Sequence, residues 1–289
     1  MNLVVIVKHI NVPAIRLFTL RAVGHNANKV MIMVGLSANI SMLFRELPLL
    51  ERFAAARAAG FLTVEVQNPY EHPAATLTSA ARAADVQVIL INAPLGEDPR
   101  TFGTACLPRP TAMFRAQLAR AAEYAHSLGT RMVNVLAGRT APADRPGALR
   151  RLTDNLALAA ELLGEANARP LLEVINPVNA PEYCVADFES AAAILDASDS
   201  RAGLQFDVYH AAMLGLDPAQ AFTRQLPRIR HVQFADNPHR HEPGTGSLDF
   251  TNIFATIRGS GYDGWVGAEY HPLATTTAGL RWMREHGWT

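Results

Sequence analysis

From Val34 onward the chain alternates between short β-prone apolar runs and longer stretches of helix-forming composition. The short runs are VGLSAN, TVEVQN, VQVILIN, RMVNVLA, PLLEVIN, AGLQFD, RHVQFAD and WVGAEY. Their length and their content of branched and aromatic residues read as strands. The intervening stretches include ELPLLERFAAARAAG, RPTAMFRAQLARAAEYAHSLG, GALRRLTDNLALAAELLGEANA, VADFESAAAILDA, DPAQAFTRQL and FTNIFATIRGSG. Several close on glycine after an Ala-rich or Leu-rich face, as in ARAAGF, AHSLGT and RGSGYDG, where Gly supplies a left-handed cap. The eight strand candidates spread over 232 residues from Val34 to Val266, about 33 per unit, which is the size of one βα repeat. Eight such units in about 250 residues have the dimensions of a (β/α)8 TIM barrel, a single α/β domain. The rival is an open doubly wound sheet. Its dinucleotide-binding form needs G-x-G-x-x-G after the first strand, and here that strand runs into SANISMLF with no glycine run. No P-loop and no G-x-S-x-G elbow appears in the chain.

Composition narrows the picture further. At 289 residues, 49% hydrophobic and 18% charged, the chain is long enough for one large domain. Lys plus Arg equals Asp plus Glu at 26 each, so the overall field does not favour nucleic acid over a small neutral or anionic ligand. Cys106 and Cys184 lie 78 residues apart without a CxxC pattern, which argues against a disulfide scaffold or zinc ribbon and is consistent with a reducing cytoplasm. No apolar run approaches the roughly 20 residues of a bilayer span. The first thirty residues differ in kind: their charges are Lys8, Arg16, Arg21 and Lys29, and the first acidic residue of the chain is Glu46. An acid-free, Arg-containing start can be an import peptide. The plainer reading is an extension upstream of a start near Met31 or Met33, so residues 1–30 are expected outside the fold and 31–289 within the barrel.

A barrel directs attention to the C-terminal ends of its strands, where sites of this fold are built. For the last four strands those ends carry Glu173, Asp207, Gln233 and Glu269, spaced by 34, 26 and 36 residues. Leu171 with Glu173, Gln205 with Asp207, and Gly267 with Glu269 share parity and should face the axis together. Three carboxylates converging in a low-dielectric mouth repel one another unless a cation sits among them. All-oxygen ligation suits a hard divalent ion, Mg²⁺ or Mn²⁺, better than zinc. For any one of these residues alone, a salt bridge to a neighbouring helix would explain a strand-end carboxylate equally well.

The segments SANISMLF, LLEVINPVNAPEYCV, FDVYHAAMLGLD, IRHVQFADNPHRHEPGTGSLDF and GYDGWVGAEYHP resemble the hydroxypyruvate isomerase family, a branch of the xylose-isomerase-like barrels that also include ketose 3-epimerases. The likeness runs from about Met33 to Trp282, and ADNPHRHEPGTG is its most specific part. The resemblance implies a divalent metal held by Glu173, Asp207, Gln233 and Glu269, with Glu173 and Glu269 doubling as acid and base. It also implies His210 and Arg240 as substrate contacts. The implied reaction interconverts hydroxypyruvate and tartronate semialdehyde through an enediolate, with a Lewis acid stabilising the developing charge and a carboxylate carrying the proton.

His210 follows Asp207 by three residues and either bonds a substrate oxygen or orients Asp207. Arg240, on the loop after the seventh strand, offers a fork for a substrate carboxylate. Asn92 ends the third strand and is a further substrate contact. His231 shares Gln233's parity one layer deeper and reads as a buried, hydrogen-bonded histidine, while His239 and His241 flank Arg240 in the loop, one or both facing solvent. Glu65 ends the second strand and reads as structural support. One departure from the family is CLPRP, where Pro110 follows Arg109 in place of a glycine.

Other readings remain. A 2-oxo-tetronate isomerase would use the same residues on a longer acid. A 3-epimerase of this superfamily usually shows His where this chain has Gln233. An endonuclease IV-like nuclease needs a multi-zinc set and a basic groove, and a non-catalytic binding protein has no need of all four strand-end groups. Barrels of this size often pair, and the sequence leaves open whether this one forms a homo-oligomer.

Overall fold

Eight parallel strands close on themselves in chain order in the computed structural model, which describes residues 34–108, 111–198 and 201–288 together with a separate two-residue antiparallel ladder, Val5–Ile6 with Thr19–Leu20. The expected extension, residues 1–30, lies for the most part outside the described residues, as does the Arg109–Pro110 pair. The strands are β1 Gly35–Asn39, β2 Thr63–Val66, β3 Gln87–Asn92, β4 Met132–Asn134, β5 Arg169–Glu173, β6 Gly203–Asp207, β7 Ile229–Phe234 and β8 Trp265–Ala268. They coincide with the eight runs that the apolar alternation marked, β5 and β7 each starting one residue earlier, and the ring closes where Trp265 pairs with Gly35. The architecture is the expected (β/α)8 TIM barrel.

The helices that separate the strands are α1 Leu49–Ala58, α2 Ala74–Ala83, α3 Thr111–Leu128, α4 Arg145–Gly164, α5 Phe188–Ala197, α6 Val208–Met213, α7 Pro218–Gln225 and α8 Phe250–Gly259. Two short helices, α9 Thr276–Gly279 and α10 Arg281–Glu285, end the chain. Asp187, Asp217 and Asp249 cap α5, α7 and α8 by accepting the amides of Ser190, Gln220 and Asn252, satisfying donors that a helix start leaves bare. Helix α2 was not legible in the apolar pattern. Thr78 and Ser79 turn their hydroxyls back onto the carbonyls of Ala74 and Ala75, so residues of weak helix propensity sit inside a helix that packing holds. Helix α4 begins two residues before the expected Gly147, because Pro146 fits a first turn where no amide hydrogen is needed.

The large core lies between barrel and helices. Phe234 is fully buried there, with Phe250, Phe254 and Trp282 around it at ring-centroid distances of 5.8, 5.2 and 5.1 Å. A second, small cluster of Ile89, Leu90, Met132 and Leu171 with Trp265 against it leaves the polar residues to the opposite, C-terminal end of the barrel.

Candidate active site

The C-terminal mouth gathers side chains that a water-filled surface would normally hold. Glu173 and Asp207 end β5 and β6, Gln233 is the penultimate residue of β7, and Glu269 immediately follows β8. All four are buried, as are Asn39, Glu65, Asn134, Gln205, His210 and His231. Register accounts for the convergence: Glu173 pairs with Gln205, Asp207 with Gln233, and Gln233 with Gly267, and neighbours in register on adjacent strands turn the same way.

One half of the site is Glu173, Asp207 and His210, whose potential ligand atoms lie within 4.8 Å of one another. Asp207 starts α6 by accepting the Tyr209 amide on Oδ1 at 2.7 Å, which leaves Oδ2 facing His210 Nε2 at 3.5 Å. Glu173 accepts from Asn134 Nδ2 at 2.7 Å and its other oxygen stands 4.0 Å from His210 Nε2. The tautomer of His210 follows from Asn176. The Asn176 side-chain oxygen accepts the amides of Val178 and Asn179, both at 3.0 Å, so its Nδ2 must be the group lying 2.6 Å from His210 Nδ1. Nδ1 therefore accepts and Nε2 carries the hydrogen. Burial, with Arg240 adding to it and Asp207 opposing, lowers the His210 pKa to about 4, so the ring is neutral at pH 7 and presents an N–H donor to the mouth. That favours donation to an oxygen over ligation of a metal by the same atom.

The other half is Gln233 and Glu269. Glu269 Oε1 accepts from Asn39 Nδ2 at 3.1 Å, from Gln233 Nε2 at 3.3 Å and, closely, from Gln67 Nε2. Its Oε2 takes Arg240 Nη2 at 2.6 Å. The same Nη2 lies 3.3 Å from Asp207 Oδ2, so Arg240 bridges the two halves, with its guanidinium 4.9 Å over the Tyr209 ring. Arg240 thus sits among the carboxylates, where the sequence suggested a separate clamp. Its backbone is left-handed, φ 59°, and its carbonyl accepts the His271 amide at 2.8 Å. The loop carrying it is organised by Asp236, whose two oxygens accept the amides of Asn237, Gly244, Gly246 and Leu248.

Burial first, and Asp207 next, push the Glu173 carboxyl up to about 7 against Asn134 and Arg240. Burial first also raises Glu269 well above its ordinary range; Arg240 opposes this while Asp207, Glu173 and Glu65 add to it. For Arg240, burial pulls downward, but Glu269, Asp207 and Glu173 outweigh it and raise its pKa. With one guanidinium among three strand-end carboxyls, Glu173 and Glu269 hold protons more tightly than usual, and a divalent cation could take the place of those protons. Carboxylate and amide oxygens are the donors a hard cation prefers, and Asn134 Oδ1 and Gln205 Oε1 are buried without a partner among the described residues. The residues present fit such an ion.

The remaining expectations fall as follows. Asn92 stands in register with Asn134 and so faces the mouth, and its carbonyl accepts from Tyr70 Oη at 2.6 Å. His231 is buried 2.9 Å from Glu65 Oε1. His239 is exposed, and His241 Nδ1 donates to the His271 carbonyl at 2.7 Å. Sequence reasoning missed Asn39, Gln67, Asn134 and Asn176, and it turned Gln205 towards the axis without giving it a part in the site. Parity could have found Asn134 on the inward face of β4. Nothing local marks Asn176, which works through its fold-given neighbours.

The family model for the xylose isomerase-like TIM barrel matches residues 53–286. A 2-oxo-tetronate isomerase of Cupriavidus necator is 39% identical over 254 residues, covering 86% of this chain and 97% of that one. A hydroxypyruvate isomerase of Escherichia coli is 36% identical, covering 87% and 98%. Among solved structures, one described as an AP endonuclease, family 2, from Brucella melitensis superposes with a TM-score of 0.84 at 31% identity, covering 88% of this chain and 99% of that one. Among the described residues no helix is long and apolar enough to cross a membrane.

Proposed function

The chain belongs to the xylose isomerase-like TIM barrel family, and from that premise we propose that it is an isomerase interconverting hydroxypyruvate and tartronate semialdehyde. The observation that carries this reading is a pair of buried glutamates, Glu173 on β5 and Glu269 after β8, both with raised affinity for a proton and with the neutral His210 donor 4.0 Å from Glu173. The reaction takes a proton from C3 and returns one to C2, while the carbonyl moves from C2 to C3. The Glu173 carboxyl, pushed up to about 7, suits both halves of that transfer. Glu173 and Glu269 stand on strands separated by β6 and β7, so they bracket a small substrate, and either can take the C3 proton. His210 Nε2–H is placed to donate to the oxygen that gains charge in the enediolate. Arg240, already paired to Asp207 and Glu269, supplies the cation for the substrate carboxylate, with Asn92 at the opposite rim.

Glu173, Asp207, Gln233 and Glu269 would hold a divalent ion, Mg²⁺ or Mn²⁺, which supplies Lewis-acid stabilisation of the enediolate. Relatives named for the isomerisation of hydroxypyruvate and of 2-oxo-tetronate support a three- or four-carbon acid. The two reactions are the same carbonyl shift, with hydrogen or a hydroxymethyl group on C3. The discriminating experiment follows both acids by NMR in deuterated buffer, with and without EDTA. Metal-dependent loss of the C3 proton signal of hydroxypyruvate is the expected result. Folded protein that leaves both acids unchanged with either metal refutes the reading.

A further inference from the structure

Below the mouth, one carboxylate has been left without a part in the chemistry. Glu65, on β2, is fully buried and has no solvent contact. Three groups reach its oxygens: His231 Nε2 at 2.9 Å on Oε1, and Gln233 Nε2 at 2.8 Å and Asn39 Nδ2 at 3.4 Å on Oε2. Gln233 and Asn39 reach Oε2 with amide N–H groups, the donors a carboxylate oxygen accepts, and the His231 ring stands against the other oxygen. Room for it comes from β8: a Cβ on Gly267 would collide with Glu65 Oε1. Gly267 is therefore a glycine because of a side chain on the opposite flank of β1.

We infer that Glu65 is a positioning residue whose carboxylate fixes which end of the Gln233 amide faces the mouth. An amide has a donor end and an acceptor end, and nothing in its shape distinguishes them. A carboxylate at 2.8 Å does, because it can take only the NH2 end. The Gln233 oxygen is thereby turned away from Glu65, where Gln205 Nε2 donates to it at 2.6 Å and one lone pair remains. Asn39 extends the same control to Glu269, since its Nδ2 lies between Glu65 Oε2 and Glu269 Oε1. His231 holds the other Glu65 oxygen and keeps the carboxylate from swinging. The inference rests on the reading of this mouth as a metal-dependent isomerase site, in which the Gln233 oxygen is a ligand. A neutral amide serves as a ligand here only because a buried charge one layer below has settled its orientation.

The test is a double-mutant cycle on the full chain, with Mn²⁺ binding followed by calorimetry and by the spin-resonance signal of free Mn²⁺. Glu65→Gln keeps the volume of the side chain but can donate as well as accept, so the Gln233 amide loses its preference. Mn²⁺ affinity should fall by about 10-fold to 100-fold, as for other groups that orient metal ligands. In a Gln233→Glu background the same change should cost nothing or tighten binding, because both ends of the side chain at 233 are then oxygen and a carboxylate–carboxylate contact has been relieved. Glu65→Asp, which keeps the charge but withdraws it by one methylene, is compared in the same two backgrounds in case Glu65→Gln folds poorly. Equal weakening in both backgrounds would reduce Glu65 to general support and overturn the inference. Wild-type binding and turnover unaffected by Glu65→Gln would overturn it also, leaving the isomerase reading intact. A wild-type chain that neither binds Mn²⁺ nor isomerises either acid would remove that reading and the inference together.

Discussion

Replacing Glu173 with Gln should stabilise the metal-free protein at neutral pH while disabling it. Burial and the nearby Asp207 raise this carboxyl from its ordinary 4.5 to about 7, so the folded state prefers it protonated. A group with a folded pKa above its unfolded value contributes stability that is fully present below pH 4.5 and is lost as pH rises through 7. A shift of about 2.5 pH units at about 1.36 kcal/mol each makes that loss on the order of 3 kcal/mol. His210 runs the other way. Burial lowers its pKa to about 4, so its contribution is present above 6.5 and lost on acidification through 4. The two nearly cancel in the wild-type profile, and only the difference between wild type and Glu173→Gln isolates the glutamate. Urea unfolding in EDTA at pH 5, 6, 7 and 8 should show the variant gaining steadily on wild type, by up to about 3 kcal/mol at pH 8. Excess Mg²⁺ at pH 8 should then stabilise the wild type more than the variant, which keeps only Asp207, Gln233 and Glu269 of the four proposed ligands. A difference that is constant with pH, or that widens towards acid, refutes the argument.

Glu269→Gln should lower kcat by about 10²-fold to 10⁴-fold, the usual worth of a positioned acid–base group, with KM much less affected in steady-state assays of hydroxypyruvate. Arg240→Met removes the cation that pairs with Asp207 and Glu269. Loss of one charged hydrogen bond of about 1.5–3 kcal/mol predicts a KM higher by about 10-fold to 100-fold, and an unchanged KM would deny Arg240 the substrate carboxylate. Asp236→Asn leaves only one carboxamide oxygen for the amides of Asn237, Gly244, Gly246 and Leu248. The expected cost is about 2–4 kcal/mol, read as a lower melting temperature in thermal unfolding.

The architecture was legible because its signals are local. A strand alternates with period two and a βα unit has a fixed size, so eight apolar runs at about 33-residue intervals place eight strands before any contact is known. Parity carries further: it puts Glu173, Asp207, Gln233 and Glu269 at strand ends on the inward face, and puts His231 one layer beneath Gln233. Helix α2 escaped, since its Thr and Ser residues carry little helical signal and it is held by its neighbours.

What the chain by itself determined, then, is where the strands run and which way their side chains point. What they do at the mouth was decided by tertiary structure. The polarity of the Gln233 amide depends on Glu65, 168 residues away. The tautomer of His210 depends on Asn176 in the preceding βα loop, and the charge felt by Glu269 depends on Arg240, Asp207, Glu173 and Glu65, which come from four other parts of the barrel. Pattern along a chain reports which way a residue points, because that is a property of its own backbone. Hydrogen-bond direction and proton affinity are properties of the atoms opposite, and those arrive only when the barrel closes.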